Sequence, residues 1–180
     1  MKFKATLVLV LLFATAGFAN QNKTKKTGDE ITVGLNIGNR APEINEKTTD
    51  GKELKLSSLQ GKVVLIDFWA SWCGPCRREN PAVVAAYEKY KSTKFKNGKG
   101  FTIYSVSLDK DKAAWEQAIG ADKLIWENHV SDLQGWNSKY AGIYGVRSIP
   151  NNFLIDGNGI IVGTSLRGPA LEQALSELLK

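Results

Sequence analysis

The sequence predicts an α/β domain with a central mixed β-sheet and helices on both faces. Three observations carry that prediction. Val63-Val64-Leu65-Ile66-Asp67-Phe68-Trp69-Ala70 is apolar at both alternating phases, the pattern of a strand covered on each side. The order after it is helix, strand, helix, two strands and a closing helix, so crossovers are mixed with one hairpin. The closing segment, Pro169 to Leu179, is amphipathic with Pro in its first turn.

The remaining elements follow in order. Glu43 to Thr49 and Lys52 to Leu56 flank Asp50-Gly51, and Asp-Gly supplies the positive φ of a tight turn. An extra N-terminal β-hairpin after Ala41-Pro42 is therefore expected, and Ser57 to Gly61 reads as one helical turn. A helix runs from about Pro75 to Lys91, with Val83, Val84, Tyr87 and Tyr90 as its apolar stripe and Pro81 as a kink or a reset start. Phe101 to Leu108 is a second buried strand, and Asp109 is the expected N-cap of a helix over Lys112 to Ile119. Leu124 to Gly135 carries the weakest pattern and reads as a short strand with loops, followed by a short helix over Asn137 to Tyr144. Asn152 to Asp156 and Gly159 to Thr164 are two strands around Gly157-Asn158.

The first residues speak to compartment. Met1, Lys2 and Lys4 precede the apolar stretch Ala5 to Ala16, and Gly17-Phe18-Ala19 offers small residues for a cut before Asn20. That reads as a secretory signal peptide over residues 1–19, too short for a comfortable membrane span. The polar tract 20–35, with Lys23, Lys25 and Lys26, reads as a flexible linker, and the domain proper as 36–180. Cleavage leaves 22 basic and 18 acidic residues, a net charge near +4 against +6 for the whole chain. The basic residues form no stripe, so nucleic acid is a poor partner.

Both cysteines of the chain, Cys73 and Cys76, lie in Trp72-Cys73-Gly74-Pro75-Cys76. A structural staple across two residues closes a very small loop and stabilises little. A zinc site lacks its second half, since only His129 remains as a further soft ligand. A reactive couple fits best. Cys73 falls where a buried strand gives way to a helix, whose N-terminal amides favour a thiolate, and Arg77 and Arg78 add charge or face water. Cys76, one turn on, is within reach of Cys73. Asp67 sits in the apolar strand six residues earlier, where burial would raise its pKa and suit it to exchange a proton with Cys76; a half-exposed Asp at the strand end is the alternative. Pro150 in Ser148-Ile149-Pro150-Asn151 precedes a strand, and the residues leave its isomer open.

These pieces resemble the thioredoxin superfamily. Its signature is matched by Asp67-Phe-Trp-Ala-Ser-Trp-Cys73-Gly-Pro-Cys76, its helix kink by Pro81, its cis-proline loop by Tyr144-Gly-Val-Arg-Ser-Ile149-Pro150, and its last hairpin turn by Asp156-Gly-Asn-Gly159. The resemblance runs from about Asn36 to Lys180. The leading hairpin, the export signal and an insert around Asp109 to Lys139 look like its TlpA-like thiol-disulfide oxidoreductases. The resemblance implies a thioredoxin-like fold, with Cys73 as exposed nucleophile, Cys76 as buried resolving thiol and Asp67 as proton acceptor. It further implies that Trp72, Gly74, Pro75, Ile149 and a cis Pro150 form the surface where substrate docks. Asn151 and Asn152 depart from the Thr and apolar residue found in thioredoxin.

The function so implied is an exported, cofactor-free reductant of disulfides in envelope proteins, apocytochrome c among them, in the periplasm or on the outer face of the cytoplasmic membrane. It would draw electrons from a membrane thiol donor. Two alternatives stand beside it. A peroxiredoxin-type thiol peroxidase would need Ser71 to assist a peroxidatic Cys73. A copper carrier would need both thiolates and His129, which reads as a solvated loop residue.

Overall fold

A computed structural model of the chain describes Met1 and residues 31–179. The expected signal peptide, apart from Met1, and most of the expected linker fall within residues 2–30, outside that range. Ahead of the first strand, Val33 bridges Arg40, Gly34 N donates to Arg40 O at 3.0 Å, and Leu35 packs against the core. Residues 33–35, which composition reads as linker, are therefore held against the domain.

The N-terminal hairpin is β1 (Asn45–Lys47) and β2 (Glu53–Lys55), antiparallel and shorter than the sequence suggests. Three tyrosine hydroxyls hold it down. Tyr104 donates to Leu54 O at 2.7 Å, Tyr140 to Asn45 O at 2.9 Å and Tyr144 to Pro42 O at 2.5 Å. Each buries a ring while its hydroxyl donates to a main-chain carbonyl.

The central sheet has β3 (Val63–Trp69) at its middle, with β6 (Phe101–Ser107) parallel on one side and β8 (Asn151–Ile155) antiparallel on the other. The edges are β7 (His129–Val130), parallel to β6, and β9 (Ile161–Thr164), antiparallel to β8. Every residue of β3 and β6 is buried, as the two-phase apolar pattern requires. Helix α1 (Gly74–Tyr90) runs through Pro81 without ending and packs against α4 (Pro169–Glu177) and β6. The other helices are α2 (Lys112–Ala121) and α3 (Lys139–Ile143), with single 3-10 turns at Leu56–Leu59 and Gly135–Asn137. Among the described residues no helix is long and apolar enough to cross a membrane.

Three features differ from the sequence reading. A miniature hairpin, β4 (Lys94–Phe95) with β5 (Gly98–Lys99), lies between α1 and β6. Its turn presses on Gly157, where a Cβ would stand 1.9 Å from Asn97 O, so that position admits only glycine. The N-cap of α2 is Asp111, whose side chain accepts from Ala113 N at 2.8 Å and Ala114 N at 3.2 Å. Asp109 sits two residues earlier at the end of a central strand, and its carboxyl group is turned inward. His129 is no solvated loop residue. It lies in β7, 5% exposed, stacked on Trp126 with Nε2 3.1 Å from Leu124 O.

Candidate active site

The two cysteines fall where β3 stops and α1 starts. Cys73 is the N-cap of α1, and its Sγ accepts the Cys76 amide at 3.1 Å. The two are joined as a disulfide, with Cα atoms 5.2 Å apart. Cys76 is 1% exposed. Cys73, expected to be exposed, keeps only 5%, because its sulfur is tucked against the helix N-terminus. Trp72, Gly74 and Pro75 surround it on the open surface.

Asp67 is buried in β3 between Ser105 of β6 and Asn152 of β8. Burial pushes its carboxyl up to about 7, while the nearby charge of Arg167 pulls down and that of Glu79 pushes up. Glu79, whose charge reaches Asp67, is one turn beyond Cys76 on α1. A carboxyl poised near neutrality is suited to take and return a proton at physiological pH.

The Ile149–Pro150 peptide bond is cis. Asn151, next in sequence, is in register with Phe68, which brings this turn to the end of the sheet where the cysteines follow β3. Pro150 O accepts from an Nη of Arg167, and the other Nη of that guanidinium is buried with no hydrogen-bond partner. Asn152 explains why an amide replaces an apolar side chain after the proline. It donates to Leu166 O and accepts from Leu166 N, both at 2.8 Å, and so holds the loop that carries Arg167.

Arg77 and Arg78 do not supply a free cation beside the sulfurs. Arg77 grips the Asp122 carboxylate, joined by Asn80 Nδ2 at 2.7 Å, and donates to Ser71 O at 3.1 Å. Against burial, which alone would raise it, those hydrogen bonds hold the Asp122 carboxyl below its usual range. Arg78 is exposed.

Sequence reasoning missed Asp109, Asn152 as a fastener, Arg167 and Trp136. The Asp109 carboxyl accepts from Ser71 N at 2.9 Å, Ser71 Oγ at 2.5 Å and Ser107 Oγ at 2.7 Å, fixing the approach to Cys73. Trp136 stands beside Trp72. No group of three or more His, Cys, Asp or Glu side chains able to hold a metal ion occurs among the described residues. An apolar cavity of about 200 Å³, lined by Leu56, Val64 and Ile155, opens near the start of β3, away from this chemistry.

A central mixed sheet whose middle strand delivers a vicinal cysteine pair to a helix N-terminus, facing a cis-proline turn, defines the thioredoxin-fold thiol-disulfide oxidoreductases. A family model described as "AhpC/TSA family" matches residues 37–164, and the chain belongs to that family. Thiol-disulfide oxidoreductase ResA of Bacillus thuringiensis (strain Al Hakam) is 32% identical over 146 residues, 81% of this chain and 78% of its own. Among solved structures, the thioredoxin domain of a thiol-disulfide oxidoreductase from Bacteroides vulgatus superposes with a TM-score of 0.72 at 33% identity, covering 82% of this chain and 100% of that one. A thiol-disulfide oxidoreductase from Bacteroides fragilis NCTC 9343 gives 0.69 at 35%, covering 78% and 99%.

Proposed function

We propose that the chain is an exported reductant of protein disulfides in the cell envelope, with Cys73 as nucleophile, Cys76 as resolving thiol and Asp67 as proton acceptor. The observation that carries the reading is the Cys73–Cys76 disulfide at the N-terminus of α1, preceded by a strand that buries the Asp67 carboxyl. In the reduced protein the Cys76 amide and the helix N-terminus favour a Cys73 thiolate. That thiolate attacks one sulfur of the substrate disulfide, forming a mixed disulfide and expelling the other sulfur as a thiolate. Cys76 then passes its proton to Asp67 and attacks Cys73 Sγ. The Cys73–Cys76 bond forms, the second substrate sulfur leaves, and the proton on Asp67 returns to solvent or to that leaving thiolate. Two electrons pass to the substrate, and a membrane dithiol donor restores the pair. Apocytochrome c is one substrate that this chemistry suits. Trp72, Gly74, Pro75 and the Ile149-Pro150 turn form the docking surface.

Peroxidase chemistry fits the site less well. The Ser71 hydroxyl, which would have to assist a peroxidatic cysteine, is committed to Asp109.

Equilibration of the mature protein in dithiothreitol redox buffers tests the reading. A potential near that of thioredoxin, about −270 mV, supports a reductant, whereas a value near that of DsbA, about −120 mV, overturns it.

A further inference from the structure

Two of the five tryptophans stay half exposed, Trp72 at 54% and Trp136 at 50%, while the other three are buried. They come from distant parts of the chain. Trp72 ends the loop before α1, and Trp136 is the centre of the 3-10 turn Gly135–Asn137. Their ring centroids are nevertheless 6.1 Å apart at 55°, so the indoles form one continuous apolar platform.

A groove of about 600 Å³ opens along this platform, lined by Ser71, Lys110, Ala114 and Asn137 with both indoles. Its polar floor is already committed. Asp109 accepts three hydrogen bonds from Ser71 and Ser107, and Asp111 caps α2. The Lys110 stem lies on the Gly135 backbone, where a Cβ would stand 2.8 Å from Lys110 Cε, and this fixes the turn that presents Trp136. What the groove offers a ligand is thus two indole faces beside polar groups of Lys110, Asp111 and Asn137, on a rigid base. A contiguous apolar patch rimmed by polar groups marks a binding site, and tryptophan is the residue most enriched where binding energy concentrates.

We propose that Trp72, Trp136 and this groove seat the polypeptide flanking a substrate disulfide, taking a large apolar side chain, best an aromatic one, a few residues from the reacting cysteine. The occupant follows from continuity with the reactive sulfur. Trp72 is bonded to Cys73, so any sulfur reaching Cys73 brings its carrier alongside the Trp72 ring. A small disulfide ends there. Only a ligand that continues along the platform covers Trp136 as well, and a polypeptide advances about 3.3 Å per residue, so two residues suffice. The inference rests on the disulfide-exchange reading above and adds which substrates that site prefers.

The test uses the reduced mature protein and three probes: 2-hydroxyethyl disulfide and two disulfide-linked peptides that differ only in Phe or Ser two residues from the cysteine. The second-order rate constant of reduction is read by acid quenching and chromatographic separation. The wild type should reduce the Phe peptide roughly tenfold faster than the Ser peptide, the scale of one aromatic contact. Trp136→Ala should erase that preference, read as the ratio of the two peptide rates, and should slow the Phe peptide more than it slows 2-hydroxyethyl disulfide, while Trp136→Phe should keep most of the preference. Equal rates of the wild type on both peptides would overturn the proposal. So would a Trp136→Ala variant slowed alike on all three probes, since that loss would be structural. Failure of the wild type to reduce even 2-hydroxyethyl disulfide would instead sink the exchange reading on which the proposal rests.

Discussion

Arg167 donates one Nη to the carbonyl of Pro150, and through the same guanidinium it acts on the charge state of Asp67. One side chain from the loop before α4 therefore bonds the cis-proline turn and acts through its charge on the buried acid. Arg167→Gln removes the positive charge and should move the Asp67 titration above its present value of about 7. Glu79→Gln removes a like charge and should move it down. The carboxyl signal of 13C-labelled aspartate, followed by NMR across pH, reads both shifts; the same direction in the two variants would refute the assignment.

Asp67 also makes stability depend on pH. Its pKa in the folded protein is raised from 3.8 to about 7, so the folded state binds more protons than the unfolded state between those values. Stability should fall as pH rises through that window and then level off. Asp67→Asn should stabilise the protein at pH 8 by up to about 4 kcal/mol and have little effect near pH 4, read from urea midpoints.

His129 works in the opposite sense. Burial lowers its pKa from 6.5 to about 4, against the hydrogen bonds to Leu124 and Trp126, which raise it. The folded state then binds fewer protons than the unfolded state in that interval. The stability present above pH 6.5 should be lost as pH falls toward 4, to a total of about 3 kcal/mol. His129→Asn should flatten this acid limb in a denaturation series from pH 4 to 7.

The Asp109 carboxyl is the fastener of the segment leading into Cys73. Asp109→Asn keeps the shape but turns one acceptor into a donor facing Ser71 or Ser107, at a cost of about 2–3 kcal/mol. Ser71→Ala leaves the backbone bond intact and should cost about 1 kcal/mol. Urea unfolding of both variants and their double mutant measures the coupling.

The strands and helices that build the sheet could be read from sequence because burial on both faces writes itself as an uninterrupted apolar run, as in Val63 to Trp69. The cysteine pair and Asp67 were legible for a related reason: a lone acid in such a run is conspicuous. Asp109 and Asp111 show where reading stops. Both precede α2 with cap-forming side chains, and only the register of β6 beside β3 turns Asp109 toward Ser71. Trp136 lies in a stretch with no period of either kind, and Arg167 looks in sequence like any charged loop residue. Their roles come from contacts with Trp72 and Pro150, 64 and 17 positions away. The β4–β5 hairpin, with two residues per strand, is too short to leave a pattern.

The paired hydrogen bonds between Asn152 and Leu166 carry a consequence for building new enzymes from this one. The loop bearing Arg167 is bolted to the strand that follows Pro150 through the main chain of residue 166, so the fastening asks for an amide at 152 and is indifferent to the side chain at 166. Loops of other sequence could therefore be grafted over residues 165–168 while Asn152 is kept. A strand grafted with an apolar residue at 152 would instead leave the Leu166 N–H and C=O without these partners and Arg167 with no fixed bearing.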